Sequence, residues 1–281
     1  MRVSEVMTAE VVVVDRSASL AECATRLVRL RIRHLPVVGE DGLHGVLTDA
    51  TVFRRGSFLG ESDSHTPASA FVTYDLADEG KVAGDLAEPC EVNCRPDDPL
   101  EPVVRRLASG AQDHAVVLDE RRHPIGIFTE HDATRLAHGV LSRALTVDHL
   151  GERRLLTVLQ HTSAVDVYDE MQRRHVRHAL VVDGLHQLVA VVSQRDLVMD
   201  DVVRRRHVTV DEVVRSRTVY TVPPGSSLVA CAEKMLQEGI GSLPVVANGR
   251  PVSIVTRRDL VEALATSLEN EQLFPDSAPA R

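Results

Sequence analysis

Cysteine is scarce in this 281-residue chain, and its four copies are irregularly spaced, at positions 23, 90, 94 and 231. Such a pattern does not fit a disulfide framework, which small secreted domains build from more numerous and more regular cysteines. The sequence also lacks any apolar run as long as a signal-peptide core or a membrane span. These absences predict a reduced, cytoplasmic protein without a membrane partner.

Lysine is nearly absent as well, because Lys81 and Lys234 are the only two copies. Acidic residues outnumber basic ones by 41 to 32, which gives a formal net charge of −9. Broad binding to nucleic acid needs a basic face that displaces counterions, so we expect no nucleic-acid partner. The preference for arginine has two interpretations, a genomic habit or the better fit of guanidinium groups to phosphate.

A short phrase occurs four times, in which an apolar strand ends in Thr or Ser and Asp follows three residues later. The copies occupy residues 45–51, 126–132, 190–196 and 253–259. Their hydroxyl residues are Thr48, Thr129, Ser193 and Thr256, separated by 81, 64 and 63 positions. A repeat of about 60 residues, expanded once, therefore fills almost the whole chain. Only the first copy departs at the acidic position, where Thr51 replaces Asp.

Each repeat predicts the same order of elements, β-α-β-β-α. A short apolar segment and a brief strand precede a helix with a start signal, and these signals are Ser19, Asp98-Pro99, Ser163 and Ser227. Two apolar runs separated by turn residues follow, and the Asn248-Gly249 turn is a strong hairpin signal. The second run of the hairpin leads into the phrase, where the closing helix begins.

Four such units in order resemble the CBS domain, a module whose tandem pairs, called Bateman modules, bind adenine nucleotides in many regulatory proteins. The resemblance implies an α/β (α+β) fold with the units packed as two pseudo-symmetric pairs in a disc. The first pair would occupy residues 1–143, with units at 1–56 and 82–143 and an insertion at 57–81. The second would occupy 144–270, with units at 144–206 and 207–268, followed by a flexible tail at 271–281.

The resemblance also assigns roles to the phrase, in which the hydroxyl faces a phosphate and the Asp accepts hydrogen bonds from ribose hydroxyls. The residues assigned in this way are Thr129 and Asp132, Ser193 and Asp196, and Thr256 and Asp259. Thr48 takes the hydroxyl role in the first copy, where Thr51 leaves the ribose role unfilled. The glycine that opens the family's phrase is replaced by Ala190 and Ser253 in the last two copies.

The same phrase has a purely structural interpretation, because Ser or Thr followed three residues later by an acid is close to a capping box. The two interpretations share one geometry, since a capped helix start is also an anion site. Arg195, Arg257 and Arg258 lie in the first helical turn, where the macrodipole disfavours a cation by roughly 0.3–1 kcal/mol. A bound phosphate would offset that cost, whereas the alternative is that these side chains reach water or pair with the adjacent acid.

A second recurrent feature precedes each hairpin, and its copies are Arg33-His34, Asp113-His114, Arg177-His178 and Gly241-Ser242. No ligand spacing elsewhere supports a metal site, so we expect none. Two interpretations stay open for these side chains: additional phosphate contacts, or solvated and packing positions. The insertion between residues 55 and 81 is rich in Gly and Ser and is predicted as a loop that serves as a flap, a partner contact or a disordered insert.

No catalytic domain accompanies the repeats, and candidate acids, bases and nucleophiles do not gather at equivalent positions, so we expect no enzyme. The leading hypothesis is a stand-alone sensor that binds AMP, ADP, ATP or S-adenosylmethionine in clefts between paired units. It would transmit occupancy to a separate regulated protein or to a second copy in a homodimer. The alternative is a structural or interaction module with no physiological nucleotide.

Overall fold

Each of the four sequence repeats folds around a β-hairpin. The computed structural model describes residues 1–59, 71–74, 80–110, 112–151, 155–199, 207–215 and 218–273. For residues 54–59, 71–74, 199 and 271–273 it describes the backbone alone. The hairpins are β3 (His34–Gly39) with β4 (Gly42–Thr48), β8 (His114–Leu118) with β9 (Pro124–Thr129), β11 (His178–Val182) with β12 (Leu188–Ser193), and β13 (Ser242–Ala247) with β14 (Arg250–Thr256). All four contain a register shift at the equivalent place, so the repeat extends to backbone detail.

A short strand adds to the first strand of each hairpin in parallel. These strands are β2 (Val14–Asp15), β7 (Asn93–Cys94) and β10 (Thr157–Leu159), and in the fourth repeat a single bridge joins Val222 to Val245. The second repeat gains one more strand, β1 (Thr8–Ala9), which pairs antiparallel with β9. The parallel additions and the antiparallel hairpins together give the mixed sheets that the β-α-β-β-α order predicts.

Every repeat has an inner helix before its hairpin and a closing helix after it. The inner helices are α1 (Leu20–Arg29), α4 (Leu100–Ala108), α6 (Ala164–Arg174) and α9 (Leu228–Gln237). The closing helices are α2 (Asp49–Arg55), α5 (Glu130–Val140), α7 (Gln194–Met199) and α10 (Arg257–Leu273). Shorter helical turns precede the repeats at Val3–Glu5, at α3 (Ala83–Leu86), at Val147–Leu150 and at α8 (Val210–Val213). Among the described helices, none is both long and apolar enough to cross a bilayer.

The local start and turn signals have identifiable structural roles. The Ser19 and Ser227 hydroxyls accept hydrogen bonds at 3.2 Å from amides three residues later and so cap α1 and α9. Ser163 precedes α6 without a hydrogen bond from its side chain to the helix. Asn248 and Gly249 have φ angles of 52° and 78°, and they form the two-residue loop between β13 and β14, as their turn chemistry predicts.

The chain forms two compact units, each with its own core. The first combines Met1–Val11, Cys90–Arg154 and Tyr220–Arg281, and therefore contains the second and fourth repeats. The second combines Val12–Pro89 with Leu155–Val219, and therefore contains the first and third repeats. This division by compactness differs from the predicted division at residue 143, since each compact unit takes one repeat from each predicted pair.

The segments that precede the repeats are exchanged within each predicted pair. The segment before the first repeat bonds at the helix start of the second through Val3 N and Asp98 O, 3.0 Å apart. The segment before the second repeat bonds at the helix start of the first through Ala83 N and Ala18 O, at 2.8 Å. The third and fourth repeats make the equivalent reciprocal bonds from Val147 N to Ser226 O and from Val210 N to Thr162 O, at 2.9 and 3.0 Å.

The predicted insertion contains regular structure. Strands β5 (Gly56–Leu59) and β6 (Phe71–Tyr74) pair antiparallel, so the prediction of a loop is wrong for these eight residues. Residues 71–74 are Phe, Val, Thr and Tyr, all of which favour strands, but the surrounding Gly and Ser residues concealed this signal. Residues 60–70 and 75–79 of the insertion, and residues 274–281 of the predicted tail, lie outside the described residues. The helix α10 itself extends to Leu273.

The glycine that opens the phrase is required by close backbone packing in the first repeat. A Cβ atom on Gly45 would lie 2.6 Å from the main-chain oxygen of Glu88. Glu88 in turn exchanges two main-chain hydrogen bonds with Val46, at 2.8 and 3.0 Å, so it is not free to withdraw. At the equivalent Gly126 the nearest atom is the sulfur of Met7, which belongs to a flexible side chain.

We therefore expect Gly45→Ala to lower the free energy of unfolding by about 1–3 kcal/mol, the usual cost of overpacking. Gly126→Ala is expected to cost less, because the Met7 side chain can move aside. Urea unfolding of both variants measures the difference. Equal stability of Gly45→Ala and the parent protein would show that the main chain at Glu88 moves away from the added methyl group at little cost.

Candidate functional site

The predicted hydroxyl and carboxylate form one recurring corner at the start of the closing helix. In the second repeat, Asp132 Oδ2 accepts hydrogen bonds from the amide and the hydroxyl of Thr129, at 2.9 and 2.8 Å. The equivalent pairs are Ser193 with Asp196, at 2.8 and 2.6 Å, and Thr256 with Asp259, at 2.6 and 2.7 Å. The structure thus brings together each hydroxyl and carboxylate that the phrase predicts, in the geometry of a capping box.

The hydroxyl of each corner also accepts a hydrogen bond from an amide in the first helical turn. The donors are His131 N to Thr129 at 3.2 Å, Asp196 N to Ser193 at 3.2 Å, and Asp259 N to Thr256 at 3.4 Å. A hydroxyl has one proton, and here it is donated to the carboxylate while the oxygen accepts from the helix amide, so the hydroxyl satisfies the protein's own helix end. Donation to a phosphate would require the hydroxyl to turn away from the Asp, which would keep the bond from the main-chain amide.

The corner of the first repeat lacks a carboxylate of its own. Thr48 Oγ1 accepts from Thr51 N at 3.1 Å, and the two hydroxyls are 3.0 Å apart. The carboxylate comes instead from Glu88, whose Oε1 accepts from the Thr51 hydroxyl at 3.2 Å. Sequence reasoning missed Glu88, because it lies 37 residues from Thr51 and belongs to the exchanged segment.

The second repeat contains the same hydroxyl–carboxylate contact with the two residue types exchanged. Thr8 lies opposite Ile127 on β9 just as Glu88 lies opposite Val46 on β4. The Thr8 hydroxyl donates to Asp132 Oδ1 at 2.8 Å. The helix therefore supplies the hydroxyl and the exchanged segment the carboxylate in the first repeat, whereas the second repeat reverses these roles. Asp132 is 3% exposed, and Arg135 also approaches its Oδ1, at 3.4 Å.

The second recurrent feature of the sequence belongs to the same corners. In the ladder of each hairpin, the hydroxyl residue lies opposite His34, His114, His178 or Ser242. The carbonyl of the preceding residue accepts the first amide of the closing helix, and these carbonyls belong to Arg33, Asp113, Arg177 and Gly241 at 2.9, 3.2, 2.9 and 3.1 Å. The sequence predicted the equivalence of these positions, but the register explains it: they anchor the hairpin to the helix start.

Arg195 pairs with an acid from another repeat of its own compact unit. Its Nε lies 2.9 Å from Asp49 Oδ2, and helix α7 packs against helix α2. Asp49 is 7% exposed, and its other oxygen accepts from Ala50 N at 2.8 Å. Burial lowers the pKa of the Arg195 guanidinium, Asp49 opposes that effect, and nearby Arg33 adds to it. The sequence indicated a phosphate, water or the adjacent acid as partners of this cation, and the structure instead pairs it with an acid of another repeat.

Arg258 contacts the end of another helix in the first compact unit. Its Nη2 lies 3.4 Å from the carbonyl of Ala108, the last residue of α4, and its Nε lies 3.4 Å from Glu262. A Cβ on Gly110 would lie 1.9 Å from the same guanidinium, and the φ angle of Gly110 is 83°. A cation at a helix C-terminus is favourable, so Arg258 stabilises the end of α4. The neighbouring Arg257 is 9% exposed.

Comparison with known proteins agrees with the repeat structure. The family model for the CBS domain matches residues 3–57, 83–139, 147–202 and 209–266, more than half of the chain. The 33.4 kDa protein in the ribosomal RNA operon of Thermofilum pendens is 25% identical over 303 aligned positions, which cover 99% of this chain and 96% of that protein. Protein MJ1225 of Methanocaldococcus jannaschii is 27% identical over 120 residues, and the match spans only 43% of each protein.

Two solved structures show the same fold over nearly the whole chain. The crystal structure of MJ1225 has a TM-score of 0.75 at 20% identity and covers 93% of this chain and 99% of that one. A conserved protein from Pyrococcus horikoshii has a TM-score of 0.65 at 20% identity and covers 94% of this chain and 100% of that one. At this level of identity the similarity concerns the fold.

Proposed function

Because the chain belongs to the CBS domain family, we propose that it is a regulatory protein that binds an adenine nucleotide or an adenosyl ligand at its hydroxyl–carboxylate corners. The observation that supports this proposal is the corner itself, which occurs with one geometry in the second, third and fourth repeats and in a modified form in the first. The ligand class follows from the family resemblance, and the chemistry of the corner fits it.

A nucleotide offers two groups that suit the corner. The vicinal ribose hydroxyls donate hydrogen bonds, and an ionised Asp accepts several, so Asp196 and Asp259 are the proposed ribose contacts. The phosphate is negative, and the helix start concentrates partial positive charge and amides, so Thr129 before α5 and Thr256 before α10 are the proposed phosphate contacts. On binding, the hydroxyl would release its bond to the Asp and donate to the phosphate.

The first repeat would use Glu88 in place of the missing Asp. Its carboxylate already accepts from the Thr51 hydroxyl, the residue that stands at the family's Asp position. Glu88 is exposed, so a ribose hydroxyl could replace Thr51 as the donor without burying a new charge. Thr48 would then keep the hydroxyl role assigned to it by the phrase.

The second candidate function is a packing or interaction module that holds no nucleotide. The corner of Asp132 favours it, because both carboxylate oxygens already contact groups of the protein, Thr129 on one side and Thr8 with Arg135 on the other. Arg195 and Arg258 favour it too, since each guanidinium is engaged by an internal partner. Under this proposal the corners serve only to join hairpin and helix.

Thermal unfolding with AMP, ADP, ATP and S-adenosylmethionine distinguishes the two candidates. A ligand present at a hundred times its dissociation constant is expected to stabilise the protein by roughly 2.7 kcal/mol. Asp259→Asn removes the charge at one corner and is expected to reduce the shift caused by the ligand. Glu212→Gln is the matched control, because Glu212 accepts from the amide and hydroxyl of Thr209 in the same way but lies at α8, outside the phrase.

An unchanged melting temperature with all four compounds would favour the packing module. A shift that Asp259→Asn and Glu212→Gln reduce equally would mean that the ligand binds elsewhere.

Regulation further requires that the ligand bind one arrangement of the protein better than another, and that the two arrangements present different surfaces to a regulated protein or a second copy. We propose no enzymatic role for the chain.

A further inference from the structure

A histidine occupies a position that holds an acid in the other three repeats. In the short helical turn before each repeat, the side chain of the third residue accepts a hydrogen bond from the main-chain amide just before the turn. The acidic acceptors are Glu5 from Arg2 N, Asp85 from Val82 N and Glu212 from Thr209 N, at 2.9, 3.0 and 2.9 Å. Before the third repeat the acceptor is His149 Nδ1, 3.1 Å from Thr146 N. Of these four caps, the histidine alone changes charge near neutral pH.

The hydrogen bond fixes the protonation state of the His149 imidazole. A main-chain amide can only donate, so Nδ1 is the nitrogen without a proton, and the ring is neutral with its proton on Nε2. The hydroxyl of Thr146 lies 2.9 Å from the same Nδ1 and can donate to it as well. Protonation of Nδ1 would turn this acceptor into a donor and break both bonds with Thr146.

The turn that His149 caps attaches the segment before the third repeat to the fourth repeat. Val147 N donates to Ser226 O at 2.9 Å, and Leu228 N, at the start of α9, donates to Leu145 O at 2.8 Å. Val147 is 4% exposed and belongs to the same buried cluster as Leu228. Because the cap orders the first residues of this turn, its loss is expected to weaken the attachment at both bonds.

The charged groups of the adjoining segments do not favour a protonated imidazole. These groups are Asp148 on the turn itself, His138 of α5, Arg143 after α5, and Glu233 and Lys234 of α9. Asp148 accepts from Gly225 N at 3.4 Å, and Glu233 accepts from Gln237 Nε2 at 3.2 Å. In the part of the chain that the structure describes, no carboxylate forms an ion pair with His149. The three basic groups can only oppose a further positive charge.

We propose that His149 is a pH-sensitive cap, which holds the segment 145–150 on the fourth repeat while the imidazole is neutral and loosens this segment when it is protonated. Histidine side chains ordinarily titrate near pH 6.5, so the change is expected between about pH 7.5 and 5. Since the folded protein holds the neutral form, the opened segment takes up the proton more readily, and the attachment weakens as the pH falls. The inference is independent of nucleotide binding.

The equivalent acid at the fourth repeat provides a control within the same chain. Hydrogen bonds from the amide and the hydroxyl of Thr209 lower the pKa of Glu212, so this cap stays ionised over the same range of pH. Val210 N donates to Thr162 O at 3.0 Å, just as Val147 N donates to Ser226 O. The Val210 amide therefore reports an equivalent attachment whose cap does not titrate near neutral pH.

The test is amide hydrogen exchange of the full-length protein, followed by NMR at about pH 7.5 and 5 and corrected for the intrinsic effect of pH on exchange. The Val147 amide is expected to lose protection by about fivefold at the lower pH, the order expected for one neutral hydrogen bond. The Val210 amide should keep its protection. His149→Gln places a neutral acceptor at the cap at every pH and should abolish the loss at Val147.

Three results would overturn the inference. The first is unchanged protection of Val147 between the two pH values. The second is an equal loss at Val147 and Val210, since the whole protein would then respond to pH. The third is a loss at Val147 that persists in His149→Gln, which would assign the titration to another group. His149 is exposed, so its replacement is expected to leave the fold intact and the comparison valid.

Discussion

Replacing Asp132 by alanine is expected to lower the free energy of unfolding by about 3–5 kcal/mol, because hydrogen bonds to a buried charge contribute roughly 1.5–3 kcal/mol each. The carboxylate is 3% exposed and accepts from the amide and hydroxyl of Thr129 and from the hydroxyl of Thr8. Its removal leaves those three donors without their acceptor and opens the start of α5. Urea unfolding monitored by circular dichroism measures the loss.

The first repeat provides the matched control for this prediction. Thr51 occupies the same helix position as Asp132 but is neutral, and its hydroxyl bonds Thr48 and Glu88. Thr51→Ala is therefore expected to cost only about 1 kcal/mol, the usual net contribution of a neutral hydrogen bond. Thr8→Val removes one bond from the other side of Asp132 and should fall between the two. A loss below about 1 kcal/mol for Asp132→Ala would contradict the structural importance of the corner.

Breaking the ion pair between Asp49 and Arg195 is the second large effect that we expect. Removal of one partner from a fully buried pair costs about 3–5 kcal/mol, because the other charge stays buried and unpaired. The Arg195 side chain is 34% exposed and the Asp49 side chain 11% exposed, so solvent reduces the penalty. We therefore expect Asp49→Ala to lower the free energy of unfolding by about 2 kcal/mol.

A double-mutant cycle with Arg195→Ala isolates the interaction between the two side chains. The coupling energy is expected to be about 1–2 kcal/mol and to change little with added salt, because a partly buried pair is screened weakly. The exposed pair of Arg2 and Asp97 is the control, since both side chains are more than half exposed and Asp97→Ala should leave stability nearly unchanged. A coupling energy close to zero for Asp49 and Arg195 would contradict a stabilising contact between the first and third repeats.

Local signals in the sequence predicted the repeat and most of its elements. The hairpin with the Asn248-Gly249 turn and the helices capped by Ser19 and Ser227 follow from interactions within a few residues. The family model confirms the four CBS units that the phrase indicated. The hydroxyl–carboxylate corners were predictable for the same reason, because their two residues are one helical turn apart.

Contacts between distant residues were not predictable from these patterns. Nothing in a single repeat indicates that Glu88 supplies a carboxylate to Thr51, or that Thr8 supplies a hydroxyl to Asp132. The partner of Arg195, Asp49, lies in another repeat. The sequence pattern around Arg195 indicated only a phosphate, water or the adjacent acid as partners. The strands β5 and β6 were missed because turn-forming residues dominate the composition around them.

The most direct test of the central claim is a crystal structure of the protein grown with the adenine compound that stabilises it most. We predict ribose hydroxyls at hydrogen-bond distance, about 2.7 Å, from Asp196 or Asp259, with a phosphate near Thr256 or Thr129. The hydroxyl of an occupied corner should have turned from its Asp toward the phosphate. A nucleotide bound elsewhere, with all the corners still closed by their own hydrogen bonds, would contradict the account.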